Sequence, residues 1–390
     1  MHLSRRHALL GLTAAFTLGR TSLALANAPG NKRLVVVLLR GALDGMAAVV
    51  PYGDPDLVRI RPALIPPEPG QPNGLLDLGG FYGLNPALEG MHGLFKAGQL
   101  LPIHAVAGGY RSRSHFEAQD YLESGADQRL SSGWLNRAVS AMPSHRPNEA
   151  LAVGVNIPLL LRGPSSVSTY AAAAAPALSP DLYARIAAVS HDDPLLGPVI
   201  AEGLHDRGFT VETLSGLALT GDKNAVVNVA TAAGRLLAAP DGPRVAAMEM
   251  GGWDTHADQK NRLNGPLKQL DAGLMALKQS LGPAWDQTVV IIMTEFGRTA
   301  HVNGTNGTDH GTAGVAFLAG GAVMGGHVAG TWPGLGEAQL FEKRDLAPTT
   351  DLRAVLMSLL TDHLGVPAHA IPAIFPATTT LSPQSGLVRV

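Results

Sequence analysis

The residues that could do chemistry fall in short groups: Arg40 with Asp44, Asp254 with His256, Glu295 with Arg298 and His301, and Asp309 with His310. The carboxylates of Asp44, Asp254, Glu295 and Asp309 and the imidazoles of His256 and His310 are donor types that hold a divalent ion, and the chain contains 0 cysteines. Thiolate zinc sites, disulfides and cysteine nucleophiles are therefore excluded, and Zn²⁺, Mn²⁺, Mg²⁺ or Ca²⁺ bound through oxygen and nitrogen remain open. One such ion, or two acting as a clamp, would serve a phosphoryl or sulfuryl displacement. Ser114, flanked by Arg111 and Arg113 and placed to open a helix, could attack, because the helix terminus provides a field that favours an alkoxide. Arg40 and Arg298 could hold an anionic substrate.

Each of these positions has a structural alternative that the sequence leaves open. Asp44 could make an Asx turn or cap the segment that follows, and Asp254 could cap a long helix. Ser114 and Glu117 have capping-box spacing, and Glu295 with Arg298 could be an ion pair on a solvated turn.

The elements that must position these groups are strands ending where the groups begin. Leu34 to Leu39, Leu101 to Val106, Leu151 to Val155, Arg244 to Met250, Thr288 to Thr294 and Val315 to Ala319 are apolar runs of the kind buried on both faces of a parallel sheet. In such sheets ligands collect beyond the carboxyl ends of the strands, where Arg40, Asp44, Asp254 and Glu295 stand. Helices are expected from Asn85 to Lys96, Ser114 to Ser124, Gly133 to Met142, Thr255 to Leu281 and Leu352 to Leu364, the last capped by Asp351. Asp181 to Val189, Leu195 to Arg207 and Asp222 to Ala238 read as a helical insertion spanning about residues 176–240. Pro51 to Gly83 is a Pro- and Gly-rich loop that could cover the site, Pro164 to Pro176 a connecting or lid segment, and residues 371–390 a surface tail. The glycines before His327 match no nucleotide-binding fingerprint, and His327 itself reads as structural.

Of the 390 residues, 46% are hydrophobic and 15% charged, with 46 glycines and 28 prolines, which describes a globular chain with many tight loops. The net charge of −2, with no clustered basic face, argues against a nucleic-acid partner. Arg5-Arg6, the apolar segment Ala8 to Leu18 and Ala24-Leu25-Ala26 have the form of a twin-arginine export signal over residues 1–26, too short in its apolar part to be a stable membrane span. Cleavage there removes three arginines and no acids, so 29 basic against 31 acidic residues becomes 26 against 31, a net −5. The expectation is a periplasmic protein that meets the twin-arginine translocon during export.

The order of an early Asp, a hydroxyl at a helix start after the second strand and late Asp/His pairs resembles the alkaline phosphatase and sulfatase superfamily. More closely, Leu39-Arg40-Gly41-Ala42-Leu43-Asp44-Gly45, Ser114-His115-Phe116, Gly252-Trp253-Asp254-Thr255-His256, Thr294-Glu295-Phe296-Gly297-Arg298-Thr299 and Asp309-His310-Gly311 resemble the bacterial family catalogued as domain of unknown function 1501, over about residues 32–370. The resemblance implies a single alkaline-phosphatase-like α/β domain, a three-layer sandwich around a mostly parallel sheet. It also implies Asp44 on one metal, Ser114 as nucleophile, Asp254 and His256 on a second metal, and Glu295, Asp309 and His310 completing the two. The reading is an exported metal-dependent hydrolase of phosphate or sulfate esters on a small anionic substrate. The competing reading is a non-catalytic periplasmic binding or scaffold protein that keeps the fold. A Ser/His/Asp hydrolase is weaker, since no Gly-x-Ser-x-Gly elbow occurs.

Overall fold

The computed structural model describes residues 31–143, 146, 148–154, 156–171, 225–376, 378 and 380–389, with only scattered positions from 172 to 224. The eight strands of the central sheet are β1 (Arg33–Leu39), β2 (Leu100–Ala107), β3 (Ala150–Val153), β4 (Val167–Tyr170), β5 (Val245–Met250), β6 (Thr288–Thr294), β7 (Gly314–Ala319) and β8 (Thr350–Asp351). They lie side by side in the order β8-β2-β7-β6-β1-β5-β3-β4. All pairings are parallel except those of β7, which runs antiparallel to both β6 and β2.

Both faces of this sheet are covered, as its unbroken apolar runs require. Along β1, Leu34, Val36 and Leu38 enter one core with Trp134, Leu135, Val355 and Leu356. Val35, Val37 and Leu39 enter the other with Met91, Leu94, Leu267 and Leu274. This alternation is the two-residue period of a pleated strand buried twice. One outer layer therefore holds α3 (Trp134–Ser140) and α6 (Leu352–Ser358), and the other holds α1 (Glu89–Lys96), α4 (Ala225–Ala238) and α5 (Gln259–Leu281). The fold is a mixed α/β architecture with helices on both sides of a large, mostly parallel sheet.

Several expectations change. The supposed connecting segment after Pro164 contains the edge strand β4, whose β-branched Val167 and Thr169 pair with Ala150 and Ala152. α5 begins at Gln259, four residues later than the Leu periodicity suggests, so Asp254 does not cap it. Residues 371–390 are no surface tail: Ile374 and Phe375 pack in the core, and Leu387 and Val388 are buried against the Val323 turn. Pro51 to Gly83 is tied down by a small antiparallel sheet of Val49–Val50, Gly83–Leu84 and Leu76–Asp77. The export signal and the first two helices of the expected insertion lie outside the described residues, whereas its third is α4. Among the described residues no helix is long and apolar enough to cross a membrane.

Candidate metal centre

Because β1, β2, β5 and β6 are mutually parallel, their carboxyl ends open on one edge of the sheet, and β7 starts there as well. Three chain segments leaving that edge converge. After β2, the chain runs to α2 (His115–Ser124), which places His115 at the first helical residue. The segment after β5 carries Asp254 and His256. Leaving β6, the loop begins with Glu295 and returns through Asp309 and His310 to β7.

This last loop folds as a tight pair of arms. Gly297 accepts from the Gly311 N–H and donates to the Thr312 carbonyl, and Arg298 bridges to His310. A methyl group at Gly297 would lie 1.8 Å from the Ala313 oxygen, and one at Gly311 would lie 2.4 Å from the Arg298 carbonyl carbon. Only glycine permits this approach, which sets Glu295 and His310 on adjacent arms. The loop is also stitched to the β5 segment: Thr308 N–H donates to the Thr255 carbonyl and Asp258 N–H to that of Thr305, bringing Asp309 beside His256.

The outcome is three imidazoles held from behind and facing one another. The Nδ1 of His115 lies 2.8 Å from Glu295 Oε1, that of His256 lies 2.9 Å from Asp309 Oδ1, and that of His310 lies 2.9 Å from the Arg113 carbonyl. All three partners are pure acceptors, which places a proton on each Nδ1; in the neutral ring Nε2 then turns a lone pair inward. His310 Nε2 stands 3.0 Å from His115 Nε2 and 3.0 Å from His256 Nε2. Asp254 closes the group, with Oδ1 at 2.9 Å from His256 Nε2 and 3.4 Å from His310 Nε2, and Oδ2 at 3.5 Å from His115 Nε2. One donor atom from each of His115, Asp254 and His310 lies within 4.8 Å of the others, with His256 adjoining through Asp254 and His310.

Lone pairs at this distance repel unless a cation lies between them. The residues present therefore fit a divalent metal, and the outer acceptors are of the kind that orient imidazole ligands. Electrostatics agrees with the geometry. Burial alone would raise the Glu295 carboxyl, but hydrogen bonds from His115, Gln119 and the Gly41 N–H overcome it and bring it down to about 2. The bond to Glu295 raises His115, against its partial burial. Asp309 is lowered first by its hydrogen bond with His256. At Asp254 desolvation pushes upward, yet the Arg298 guanidinium at 2.5 Å outweighs it and lowers the carboxyl.

Not every expected residue joins the centre. Asp44 is 1% exposed and its oxygens are occupied, accepting from Arg61 Nη1 at 2.7 Å, Gln259 Nε2 at 2.6 Å and the Met46 N–H at 3.1 Å. It caps a short helix, Gly45–Ala48, and the hydrogens surrounding it leave no lone-pair partner for an ion. Arg298 is buried and spent on Asp254 and on the hydroxyl and carbonyl of Thr308, while Arg40 is paired with Glu123 and Glu249. Neither guanidinium faces an incoming anion, because each already has its acid. Ser114 occupies the N-cap position of α2 but makes no capping hydrogen bond, and Glu117 bonds Tyr110 instead of closing a capping box. His301 is exposed and His327 is outside the group. Sequence reasoning missed His115 as a donor and Gln119 as a Glu295 partner. Their four-residue spacing puts them on one helix face, a signal that the attention to Ser114 obscured.

A model of the family "Protein of unknown function (DUF1501)" matches residues 107–375, a span that includes His115, Asp254, His256, Glu295, Asp309 and His310. The chain belongs to this family. No curated protein matches the chain. Among solved structures, a putative sulfatase from Bacteroides thetaiotaomicron is similar at 12% identity and a TM-score of 0.40, covering 91% of this chain and 76% of that one. The lipoteichoic acid synthase LtaP from Listeria monocytogenes is similar at 9% identity and a TM-score of 0.39, covering 87% and 73%. A protein in the alkaline phosphatase superfamily from Vibrio parahaemolyticus is similar at 11% identity and a TM-score of 0.34, covering 84% and 66%. At these identities no residue role passes from those proteins to this DUF1501 member.

Proposed function

We propose that this chain is an exported, metal-dependent hydrolase of phosphate or sulfate esters whose ion is held by His115, His256, His310 and Asp254. The observation that carries the reading is the convergence of three Nε2 atoms, 3.0 Å apart in two pairs, beside the Asp254 carboxylate. Three imidazoles with one carboxylate favour Zn²⁺ or Mn²⁺ over Mg²⁺ and Ca²⁺, which prefer oxygen-only shells. The bound ion would supply Lewis-acid polarisation of a phosphoryl or sulfuryl oxygen.

The chain's own residues do the rest. Glu295 and Asp309 retain the Nδ1 protons of His115 and His256, so that both rings stay in the tautomer that donates from Nε2. Arg298 fixes one Asp254 oxygen and leaves the other toward His115. Ser114, adjacent to His115 and free of a capping bond, supplies the attacking oxygen. Arg111, which among the described residues bonds the Gly108 and Tyr110 carbonyls and no acid, takes the substrate-anion role for which Arg40 and Arg298 are no longer free. The twin-arginine leader supports action in the periplasm.

The test is metal content, followed by turnover of aryl phosphate and aryl sulfate esters. The wild type should retain a divalent ion, Asp254→Ala should lose ion and turnover, and Ser114→Ala should lose turnover while keeping the ion. A protein that takes up neither Zn²⁺ nor Mn²⁺ would sink the reading. One that binds the ion and turns over no ester of either class would be a non-catalytic binding protein instead.

A further inference from the structure

The segment from Leu64 to Leu76 and the first half of α5 face each other across a groove of about 790 Å³. Its loop wall is preset, since Pro66, Pro67 and Pro72 fix their own backbone angles. On the helix wall, Lys260, Asn264 and Lys268 follow at intervals of four residues and form one stripe. At 1.5 Å rise per residue the two ammonium groups stand about 12 Å apart along the axis. Gln71 and Asn73 look in from the opposite wall. All five of these side chains are exposed, and none has a hydrogen bond or ion pair among the described residues.

The lining chemistry narrows the occupant. A carboxamide offers donor and acceptor together, matching a hydroxyl that must do both, and two ammonium groups without acid partners call for anions. Among the described residues the groove's lining contains a single acid, Glu89, against those two cations. Among the described residues no Trp, Tyr, Phe, Met or Arg lines it, so these walls offer neither the anchors on which peptide and protein partners depend nor the aromatic platforms that stack nucleobases. What remains is an extended, hydroxyl-rich polyanion. Among the described residues the groove's lining shares no side chain with the metal centre. Gln259, at its floor, is 1% exposed and is held between Asp44, Thr255 and Thr308.

We propose that this groove binds an anionic polysaccharide, with sugar hydroxyls on Gln71, Asn73 and Asn264 and the acidic groups on Lys260 and Lys268, independently of the metal centre. Calorimetric titration of the mature protein with dextran sulfate, uncharged dextran and polyaspartate tests it. Dextran sulfate should bind at least about tenfold more tightly than dextran or polyaspartate, and Lys260→Gln with Lys268→Gln should weaken it by at least about tenfold and flatten its salt dependence. Gln71→Ala with Asn264→Ala should weaken binding and leave the salt dependence unchanged. His310→Ala, which disables the metal centre, should bind dextran sulfate as the wild type does. All substituted groove positions are exposed, and cooperative thermal unfolding confirms folding of each variant. The proposal is overturned if dextran sulfate does not bind, if the lysine variant binds it as tightly as the wild type, or if polyaspartate binds equally well, which would mark an acidic-peptide site.

Discussion

Asp44 and Asp254 follow neighbouring parallel strands, β1 and β5, at the same edge of the same sheet, yet the two carboxylates have opposite surroundings. Asp44 is sealed in and meets only hydrogens, from Arg61, Gln259 and the Met46 backbone. The Asp254 side chain is 42% exposed, with Arg298 on one side and three imidazole lone pairs on the other. A strand-end position therefore brings acids to a site without deciding their work. What decides it is whether the facing atoms bring protons, which complete a structural network, or lone pairs, which require a cation.

The largest effects should separate these two environments. His310→Ala removes the nitrogen that faces both other rings, and the expected outcome is complete loss of the retained divalent ion with a native circular dichroism spectrum. Metal analysis of the purified variant decides this, and full retention would mean that the three rings do not share an ion. Asp44→Asn should do the reverse. Arg61 is 1% exposed and would lose the charge it pairs with, so denaturant unfolding should show a cost of about 3–5 kcal/mol, with metal stoichiometry unchanged. If Asp44→Asn instead keeps its stability and loses the ion, the contrast between the two acids collapses.

The same contrast explains what the sequence made legible. The strands were readable because β1, β2, β5 and β6 are nearly continuous runs of apolar residues, and both faces need them. The antiparallel course of β7 was not, since a run such as Gly314–Ala319 carries no sign of its direction. Edge strand β4 was hidden by its partly polar sequence, Val167-Ser168-Thr169-Tyr170, which suits one exposed side. At the candidate site, the coming together of Asp254, His256, Glu295, Asp309 and His310 was legible from residue type and strand-end position. Their division into inner donors and outer acceptors was not, because that depends on which ring nitrogen turns inward, which is set by the acceptors that separate segments place behind each ring. Arg61 and Gln259, which saturate Asp44, sit 17 and 215 residues from it, and no local pattern links them.

A subtler change tests the outer acceptors. Glu295→Gln keeps an oxygen for His115 Nδ1 and deletes the charge, so metal affinity should fall by about 10–100-fold as measured by chelator competition. The metal-free protein should also change its acid response. Glu295 titrates at about 2 in the fold against an ordinary 4.5, so the unfolded chain binds the extra proton between those values. The stability it contributes is present above pH 4.5 and is lost as the pH falls toward 2. In Glu295→Gln that portion of the acid-unfolding curve should flatten, and an unchanged curve would show that the carboxylate is not held as its partners indicate.

The smallest effect concerns two helix starts, one whose side chain makes a capping bond and one whose side chain does not. Asp351 caps α6, accepting from the Arg353 N–H at 2.8 Å, and also pairs with the Arg353 guanidinium at 2.9 Å. Ser114 stands at the same position on α2, in extended backbone with φ −95° and ψ 120°, and makes no such bond. Asp351→Ala should therefore cost about 1 kcal/mol of stability, the usual value of a working cap. Ser114→Ala should cost less than about 0.5 kcal/mol, the range of a substitution that breaks no named interaction. A loss of ester turnover in Ser114→Ala at that small cost would assign the hydroxyl to chemistry, since nothing in its setting assigns it to folding. A stability loss equal to that of Asp351→Ala would return Ser114 to the role of a cap.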